Sequence, residues 1–174
     1  MDDRFLQPTL TGQTLVVSPL DPSHFDNLYQ AASDPLIWAG HPARLRYQLD
    51  VFSRWFEDAL ASKSALVVAD KQSGRLLGSS RYYEYDEAKS EICIGYTFLV
   101  RDVWGGDTNR ELKTLMLDHA FTQVSRVWFH VDVDNVRSQK AMKKIGAHQS
   151  HIAEASFYGN SATYVFFRMD RPER

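Results

Sequence analysis

The sequence has almost no cysteine and no metal-binding spacing, and these absences exclude several classes of protein. Cys93 is the only cysteine in 174 residues, so the chain cannot form an internal disulfide or a cysteine zinc cluster. The six histidines show no HExxH or comparable spacing. We therefore expect no metal site, and the lone cysteine is compatible with a reducing compartment.

A charge excess of one sign and a long apolar run are also missing. The formal net charge of -2 gives no general reason to expect a nucleic-acid partner. The first twelve residues lack an apolar signal segment, and no apolar run approaches membrane-spanning length. Neither GxxxxGK[ST] nor GxGxxG occurs, which argues against a nucleotide-binding α/β protein. We expect a cytoplasmic protein with no membrane or nucleic-acid partner.

The sequence does contain one central strand, turn and helix, in residues 91–121. Residues 92–100 are mostly apolar or aromatic, as expected of a strand covered on both faces. Glycines then break the run, and Thr108 followed by Glu111 has the spacing of a capping box at a helix start. A turn at a helix N-terminus presents free N–H groups that can hold a phosphate. An ordinary strand-to-helix connection is the alternative interpretation.

The other elements follow from hydrophobic periodicity and turn residues. Residues 1–12 are predicted as a loose arm and residues 36–45 as an irregular, aromatic segment. The last two strands are predicted to be joined by a turn at Tyr158, Gly159 and Asn160. Strands are predicted at residues 13–18, 65–69, 76–85, 126–133, 147–156 and 162–168, and helices at residues 22–32, 49–60 and 135–145. This order predicts one domain of the α/β class with a mixed sheet.

Four segments carry a resemblance to a known family: SPLDPSHFDNLYQAASDP, GSSRYY, IGYTFLVRDVWGGDTNRELKTLMLDHAF and VDVDNVRSQKAMKKIGA. The third has a Trp-Gly turn before a helix with an early Glu, and the fourth has Asn-x-x-Ser before a helix closed by Lys-x-Gly. The chain resembles the GNAT superfamily of acetyl-CoA-dependent N-acetyltransferases, most of all the branch containing RimJ and RimL. The resemblance implies an α/β (α+β) fold whose mixed, mostly antiparallel sheet has about seven strands flanked by about four helices.

The same resemblance implies a site for acetyl-CoA where the central strand separates from the next one. The pantetheine arm would pair with the backbone of Phe98, Leu99 and Val100, and a backbone N–H there would polarise the thioester carbonyl. The pyrophosphate would meet the turn and helix start, at Trp104, Gly105, Gly106, Thr108 and Asn109, with charge from Arg101 and Arg110. Asn135 would orient CoA or the acceptor. Arg137 would reach the 3′-phosphate, whereas Lys140 and Lys144 are interpreted as a solvated face.

Two carboxylates interrupt the glycine turn typical of the family. Asp102 stands at its first position and Asp107 at its last. A carboxylate beside a pyrophosphate is unfavourable unless it points away. We therefore expect both side chains to point away from the pyrophosphate, and we expect the Asp107 carboxylate to interact favourably with the helix dipole.

The proton-transfer residues are less clear, because Cys93 stands at the usual base position and Met142 replaces a tyrosine acid found in other members. Glu91, two residues before Cys93, is the candidate base through a water. It is equally well explained as a carboxylate at the solvated end of a strand. Ser138 is the candidate acid, with a simple helix-capping role as the alternative. His130 is a candidate residue of the acceptor site.

The function expected from the resemblance is direct transfer of acetyl from acetyl-CoA to a primary amine, on a small molecule or a protein N-terminus. Acetyl-CoA and the amine are the expected partners, and a homodimer is compatible with them. The alternative is a non-catalytic acyl-CoA-binding or regulatory domain of the same fold.

Overall fold

One twisted sheet organises the part of the chain that the computed structural model describes, residues 4–157 and 160–173. Its eight strands lie in the order β1-β2-β3-β4-β5-β6-β8-β7, and all neighbours are antiparallel except the parallel pair β5–β6. The strands are β1 (Leu10–Thr11), β2 (Leu15–Pro19), β3 (Ala65–Asp70), β4 (Leu76–Asp86), β5 (Glu91–Leu99), β6 (Arg126–Asp132), β7 (His148–Phe157) and β8 (Asn160–Asp170). The predicted mixed, mostly antiparallel α/β fold is confirmed.

Five α-helices occur within the described residues. They are α1 (Phe25–Ala32), α2 (Pro35–Trp38), α3 (Leu49–Ser62), α4 (Thr108–Ala120) and α5 (Val136–Lys144). Short 3₁₀ turns precede α1 at Pro22–His24 and follow β5 at Arg101–Val103. The structure has one strand and one helix more than predicted, because β1 lies in the predicted arm and α2 lies in the segment predicted as irregular.

Alternation along the strands separates two apolar cores, one on each face of the sheet. Leu66 and Val68 point to the face covered by α4 and α5, whereas Ala65 and Val67 point to the face covered by α1, α2 and α3. The second core is rich in aromatic rings, among them Trp38, Phe52, Trp55 and Phe98. We call these faces the α4 face and the α3 face.

The N-terminal segment is packed rather than loose from Phe5 onward, so the prediction of a loose arm is wrong there. The Phe5 ring is buried against Tyr82, and its carbonyl lies 2.8 Å from His119 Nε2. Gln7 donates to the Ala65 carbonyl at 3.1 Å. An aromatic side chain near a chain end thus contributes to the core, although no periodicity in a short segment can indicate this.

The predicted capping box at the start of α4 does not form. Thr108 is already helical, and the carboxylate of Glu111 reaches away from the helix to β2. It accepts hydrogen bonds from the backbone N–H groups of Thr14 at 2.8 Å and Leu15 at 3.2 Å. A Cβ on Gly12 would lie 2.3 Å from a Glu111 carboxylate oxygen, so a larger residue there would displace this carboxylate. Glu111 therefore ties the helix to the sheet.

The helix after β6 agrees with its predicted signals. The Asn135 side chain caps α5, and Gly146 follows the helix in the left-handed region at φ +86. The last two strands are paired as far as Phe157 with Asn160. Tyr158 and Gly159 of the predicted turn between them lie outside the described residues.

Candidate functional site

The parallel strands β5 and β6 separate after a short paired region and leave an open cleft. They pair only where Glu91, Ile92 and Cys93 face residues 126–128. Beyond this point β5 remains paired with β4, and β6 remains paired with β8. A cavity of about 550 Å³ occupies the space between them. Most of the residues predicted from the central strand, the turn and α5 line this cavity.

A bulge shapes the β5 side of this cleft. Ser79 on β4 faces Phe98, and Arg81 faces Gly95, so β5 has one residue more than β4 between these pairs. Within the bulge Tyr96 adopts a left-handed φ of 53, a conformation that costs an ordinary residue about 1 kcal/mol or more. The buried guanidinium of Arg81 lies 3.9 Å from the centre of the Tyr96 ring. The Tyr96 side chain is thus held at the cavity.

The backbone of β5 turns one peptide group toward the cleft at Leu99. The Val100 N–H donates to the Leu77 carbonyl of β4 at 2.8 Å. Because successive N–H groups along a strand point in opposite directions, the Leu99 N–H points away from β4 and into the cleft. The Leu99 carbonyl accepts from the Trp104 indole at 2.9 Å. Phe98 and Leu99 line the cavity, whereas Val100 does not. The N–H of Val100 is bound to β4 and is not free to pair with a ligand.

The glycine turn and the start of α4 form the next part of the cavity wall. Gly105 has φ +77, which favours glycine, and Trp104, Gly106, Asn109 and Arg110 line the cavity with it. Arg110 has an exposed side chain at the cavity mouth. Thr108 is not among the lining residues, and its contact with CoA stays a prediction.

The charged residues expected to complicate this turn point away from the cavity. Asp102 forms an ion pair with Arg75 at 2.8 Å, which lowers the pKa of its carboxyl group. Asp107 is exposed and does not line the cavity. Arg101 is also outside the cavity, because it pairs with Asp34. Neither acidic side chain therefore places its charge in the cavity.

The N-terminal half of α5 lies opposite this turn and is linked to it by a stacked pair. The Arg137 guanidinium lies 3.6 Å from the centre of the Trp104 ring, and burial lowers the pKa of this arginine. Asn135, itself buried, accepts a hydrogen bond from the Ser138 N–H at 3.3 Å. Asn135, Arg137 and Ser138 all line the cavity.

Lys140 and Lys144 are exposed, in agreement with the predicted solvated face, and they also line the cavity. They share a helix face with Arg137 through spacings of three and four residues, which was the available signal. We call this side of the cavity the cationic wall. It comprises Trp104, Gly105, Gly106, Asn109, Arg110, Asn135, Arg137, Ser138, Lys140 and Lys144.

The α3 face contributes a different surface, which we call the aromatic wall: His41, Tyr96, His130, Asp132 and Tyr164. His130 Nδ1 lies 2.9 Å from the Tyr83 hydroxyl, and the imidazole stacks on Phe157 at 3.9 Å between ring centres. Burial, assisted by His151, lowers the pKa of His130 to about 4. The imidazole is therefore neutral at physiological pH, and its lowered pKa makes it a weaker base than an ordinary histidine.

Glu91 lies at the closed end of the cleft. It faces Arg126 across the paired strands, with 3.3 Å between its carboxylate and the guanidinium, and it is not among the cavity-lining residues. The neighbouring Cys93 is buried, and burial raises the pKa of its thiol to about 12, with smaller contributions from Glu84 and Glu91. The structure therefore does not bring Glu91 to the other predicted site residues, because strand pairing closes the sheet there.

Lys113 is a cavity-lining residue that the sequence reasoning missed altogether. It lies on the sheet-facing side of α4 and is only 2% exposed. Lysine is almost never buried without a partner, so helical periodicity alone gave no reason to place it inside.

The described residues contain no cluster of three or more histidine, cysteine, aspartate or glutamate side chains arranged to hold a metal ion. No helix in the described part of the chain has the length and apolar character needed to cross a bilayer.

Comparison with known proteins agrees with this geometry. The profile of the acetyltransferase (GNAT) domain matches residues 14–148, and no curated protein sequence matches. A GCN5-related N-acetyltransferase from Brucella melitensis has a TM-score of 0.80 at 20% identity, covering 94% of this chain and 79% of that chain. A GNAT-family acetyltransferase from Bacillus anthracis has a TM-score of 0.76 at 12% identity, with coverages of 94% and 98%. Mycobacterium smegmatis RimJ in complex with CoA-disulfide has a TM-score of 0.70 at 14% identity, with coverages of 90% and 81%.

Proposed function

The chain belongs to the GNAT acetyltransferase family, and on this premise we propose that it transfers acetyl from acetyl-CoA directly to a primary amine. One observation carries the proposal: the open edge of β5 lies inside a cavity that has a cationic wall on one side and a neutral histidine on the other. This arrangement suits an anionic donor and an amine acceptor that meet at the strand.

The cationic wall would hold CoA. The pyrophosphate would take N–H groups at Gly105, Gly106 and the start of α4, where the helix dipole also favours an anion. Arg137, Lys140 and Lys144 supply positive charge for the remaining phosphate. The pantetheine arm would pair with β5 at the Leu99 N–H as an added strand.

Transfer requires a neutral amine, since a free alkylamine with a pKa near ~10 is mostly charged at pH 7. An amine that enters in its neutral form donates a hydrogen bond to the imidazole of His130, which takes up this proton as the attack makes it more acidic. The Tyr83 hydroxyl orients the ring through its 2.9 Å contact with Nδ1. The amine then attacks the thioester carbonyl carbon. A C–N bond forms as the C–S bond breaks, and the CoA thiolate leaves. Glu91 has no part in this scheme.

A backbone N–H of β5 stabilises the oxyanion that forms on the carbonyl oxygen. The Ser138 hydroxyl donates a hydrogen bond to the departing thiolate, which leaves unprotonated, and Asn135 fixes the first turn of α5 by accepting from the Ser138 N–H. The thiolate needs little assistance, because its conjugate thiol has a pKa of only ~8.5.

The acceptor class is the finer part of the proposal. We favour a protein N-terminus, in line with the RimJ/RimL-like motifs, although the likeness to M. smegmatis RimJ is at 14% identity and carries the fold alone. Amino sugars, amino acids and polyamines are the other candidates. A cytoplasmic location and a homodimer stay predictions.

The test is CoA release measured with a thiol reagent, using acetyl-CoA and a panel of amines that includes peptides with free N-termini. Release that depends on both acetyl-CoA and one amine class supports the proposal. Saturable binding of CoA without turnover on any amine would favour the alternative, a binding or regulatory domain. The distance of Glu91 from the cavity is the observation that keeps this alternative worth testing.

A further inference from the structure

A lysine amine lies inside the same cavity but has no part in the proposed transfer. Lys113 Nζ donates a hydrogen bond to Thr97 Oγ1 at 2.6 Å, and Thr97 Oγ1 is 2.8 Å from Ser80 Oγ. Among the described side chains, no carboxylate lies within ion-pair distance of this amine. Lys113 is therefore a buried cavity-lining amine whose neighbours are hydroxyl groups rather than a counter-charge.

This environment favours the neutral, nucleophilic form of the amine. Burial alone lowers the pKa of Lys113 to about 7. About half of the amine is then neutral at pH 7, compared with roughly one molecule in 2,500 for an ordinary lysine. Neutral amines attack thioesters, and ammonium groups do not.

The position of Lys113 relative to β5 is also suitable. Thr97 lies between the bulge at Tyr96 and the cleft-lining Phe98, and its side chain points to the α4 face because Phe98 points to the other. His130 approaches the cleft from the α3 face. A thioester held on this part of β5 would thus have an amine on one face and the proposed acceptor site on the other.

We propose that Lys113 is an internal acyl acceptor, which the protein acetylates when acetyl-CoA is bound and no external amine is present. The inference rests on the proposed function. Nζ attacks the thioester carbonyl carbon, the C–N bond forms and the C–S bond breaks. The proton released by the amine goes to the CoA thiolate, which leaves as free CoA. The product is a neutral amide on the cavity wall, which would narrow the cleft and slow further transfer.

The amine of Lys113 has polar but uncharged neighbours, and the charged side chains lie farther away on the cavity walls. The hydroxyls of Thr97 and Ser80 are its immediate neighbours from β5 and β4, and the phenol of Tyr82 lies on the same face of β4. Farther along the walls are Arg110 from α4, Arg137, Lys140 and Lys144 from α5, and Asp132 from β6. Burial, rather than any of these charges, accounts for the lowered pKa of Lys113.

The experiment incubates the full chain with acetyl-CoA in an amine-free buffer and maps acetylated lysines by peptide mass spectrometry across a pH series. We expect one acetyl group on Lys113, at a rate that is half-maximal near pH 7 and flat above about pH 8. The exposed Lys143 serves as the reference for spontaneous acetylation, and its pH profile should differ from that of Lys113. Lys113→Arg should abolish modification at this site, and Lys143→Arg should leave it unchanged.

Calorimetric titration with CoA separates this inference from the proposed function. CoA binding with an unmodified Lys113, or with a Lys113 pH profile equal to that of Lys143, would overturn the inference alone. Absence of CoA binding would overturn both. The wild-type pH profile does not depend on whether any variant folds.

Discussion

The two walls of the cavity are assembled from the chain in different ways. The cationic wall comes from two short continuous segments, each containing a helix N-terminus. The aromatic wall brings together His41, Tyr96, His130 and Tyr164 from a loop and three different strands. The first wall therefore has a local sequence signature, whereas the second exists only after the sheet has formed. Such a division lets acceptor choice change while the donor site is kept.

The largest expected effect lies on the aromatic wall. His130→Ala should lower kcat/KM for the acceptor by about 100-fold, the usual contribution of a positioned proton acceptor. Affinity for CoA should stay within about twofold, since no charge in contact with a phosphate is lost. Steady-state kinetics and calorimetry measure the two values. Equal losses in both would contradict the separation of the walls.

The cationic wall should respond in the opposite way. Arg137→Ala removes a cavity-lining cation and its stack on Trp104, so the Kd for CoA should rise by about 10- to 100-fold. The matched control is Lys143→Ala on the same helix, which lies outside the cavity. A Kd for Arg137→Ala no higher than that of the control would show that α5 does not hold CoA.

The hydrogen bonds of Glu111 to Thr14 and Leu15 hold α4, which carries part of the cationic wall, against β2. Glu111→Gln should lower the free energy of unfolding at pH 7 by ~1–2 kcal/mol, because an ionised acceptor of several hydrogen bonds is lost. Burial raises the pKa of Glu111, but hydrogen bonds from Thr14 and Leu15 outweigh this and leave it lowered. The stabilisation is therefore present above the unfolded pKa of ~4.3 and is lost as the pH falls through the folded value.

Urea unfolding at several pH values checks this sign. The difference between the wild type and Glu111→Gln should shrink steadily below about pH 4. A difference that stays constant into acid would show that the carboxylate is not held in its charged form.

The smallest expected effect on transfer belongs to Ser138. Ser138→Ala should lower kcat by less than about tenfold, because a thiolate leaves readily without a strong acid. The Ser138→Ala variant keeps the backbone N–H that donates to Asn135, so the free energy of unfolding should hardly change. Asn135→Ala is the companion variant and should cost about 1 kcal/mol in thermal unfolding through loss of the cap. A larger kinetic loss for Ser138→Ala would give the serine a central role.

The parts of the fold that depend on neighbouring residues could be predicted. The central strand, the glycine turn and the helix after it all occur close to their predicted limits, as does α5 with Asn135 and Gly146 at its ends. Their signals are apolar periodicity and capping residues, which act over a few positions. The N-terminal segment, α2 and the contact of Glu111 with β2 were missed, because distant partners decide them.

The sequence by itself determined which residues could form the strands, the turn and the helix starts, since these follow from local backbone preferences and side-chain patterns. Only the tertiary structure decided which of them face the cavity. Strand pairing closes the sheet at Glu91, and β4 takes the Val100 N–H. Packing of α4 against β5 turns Lys113 inward to Thr97. Each outcome depends on register and packing between segments far apart in the chain, which a local pattern does not encode.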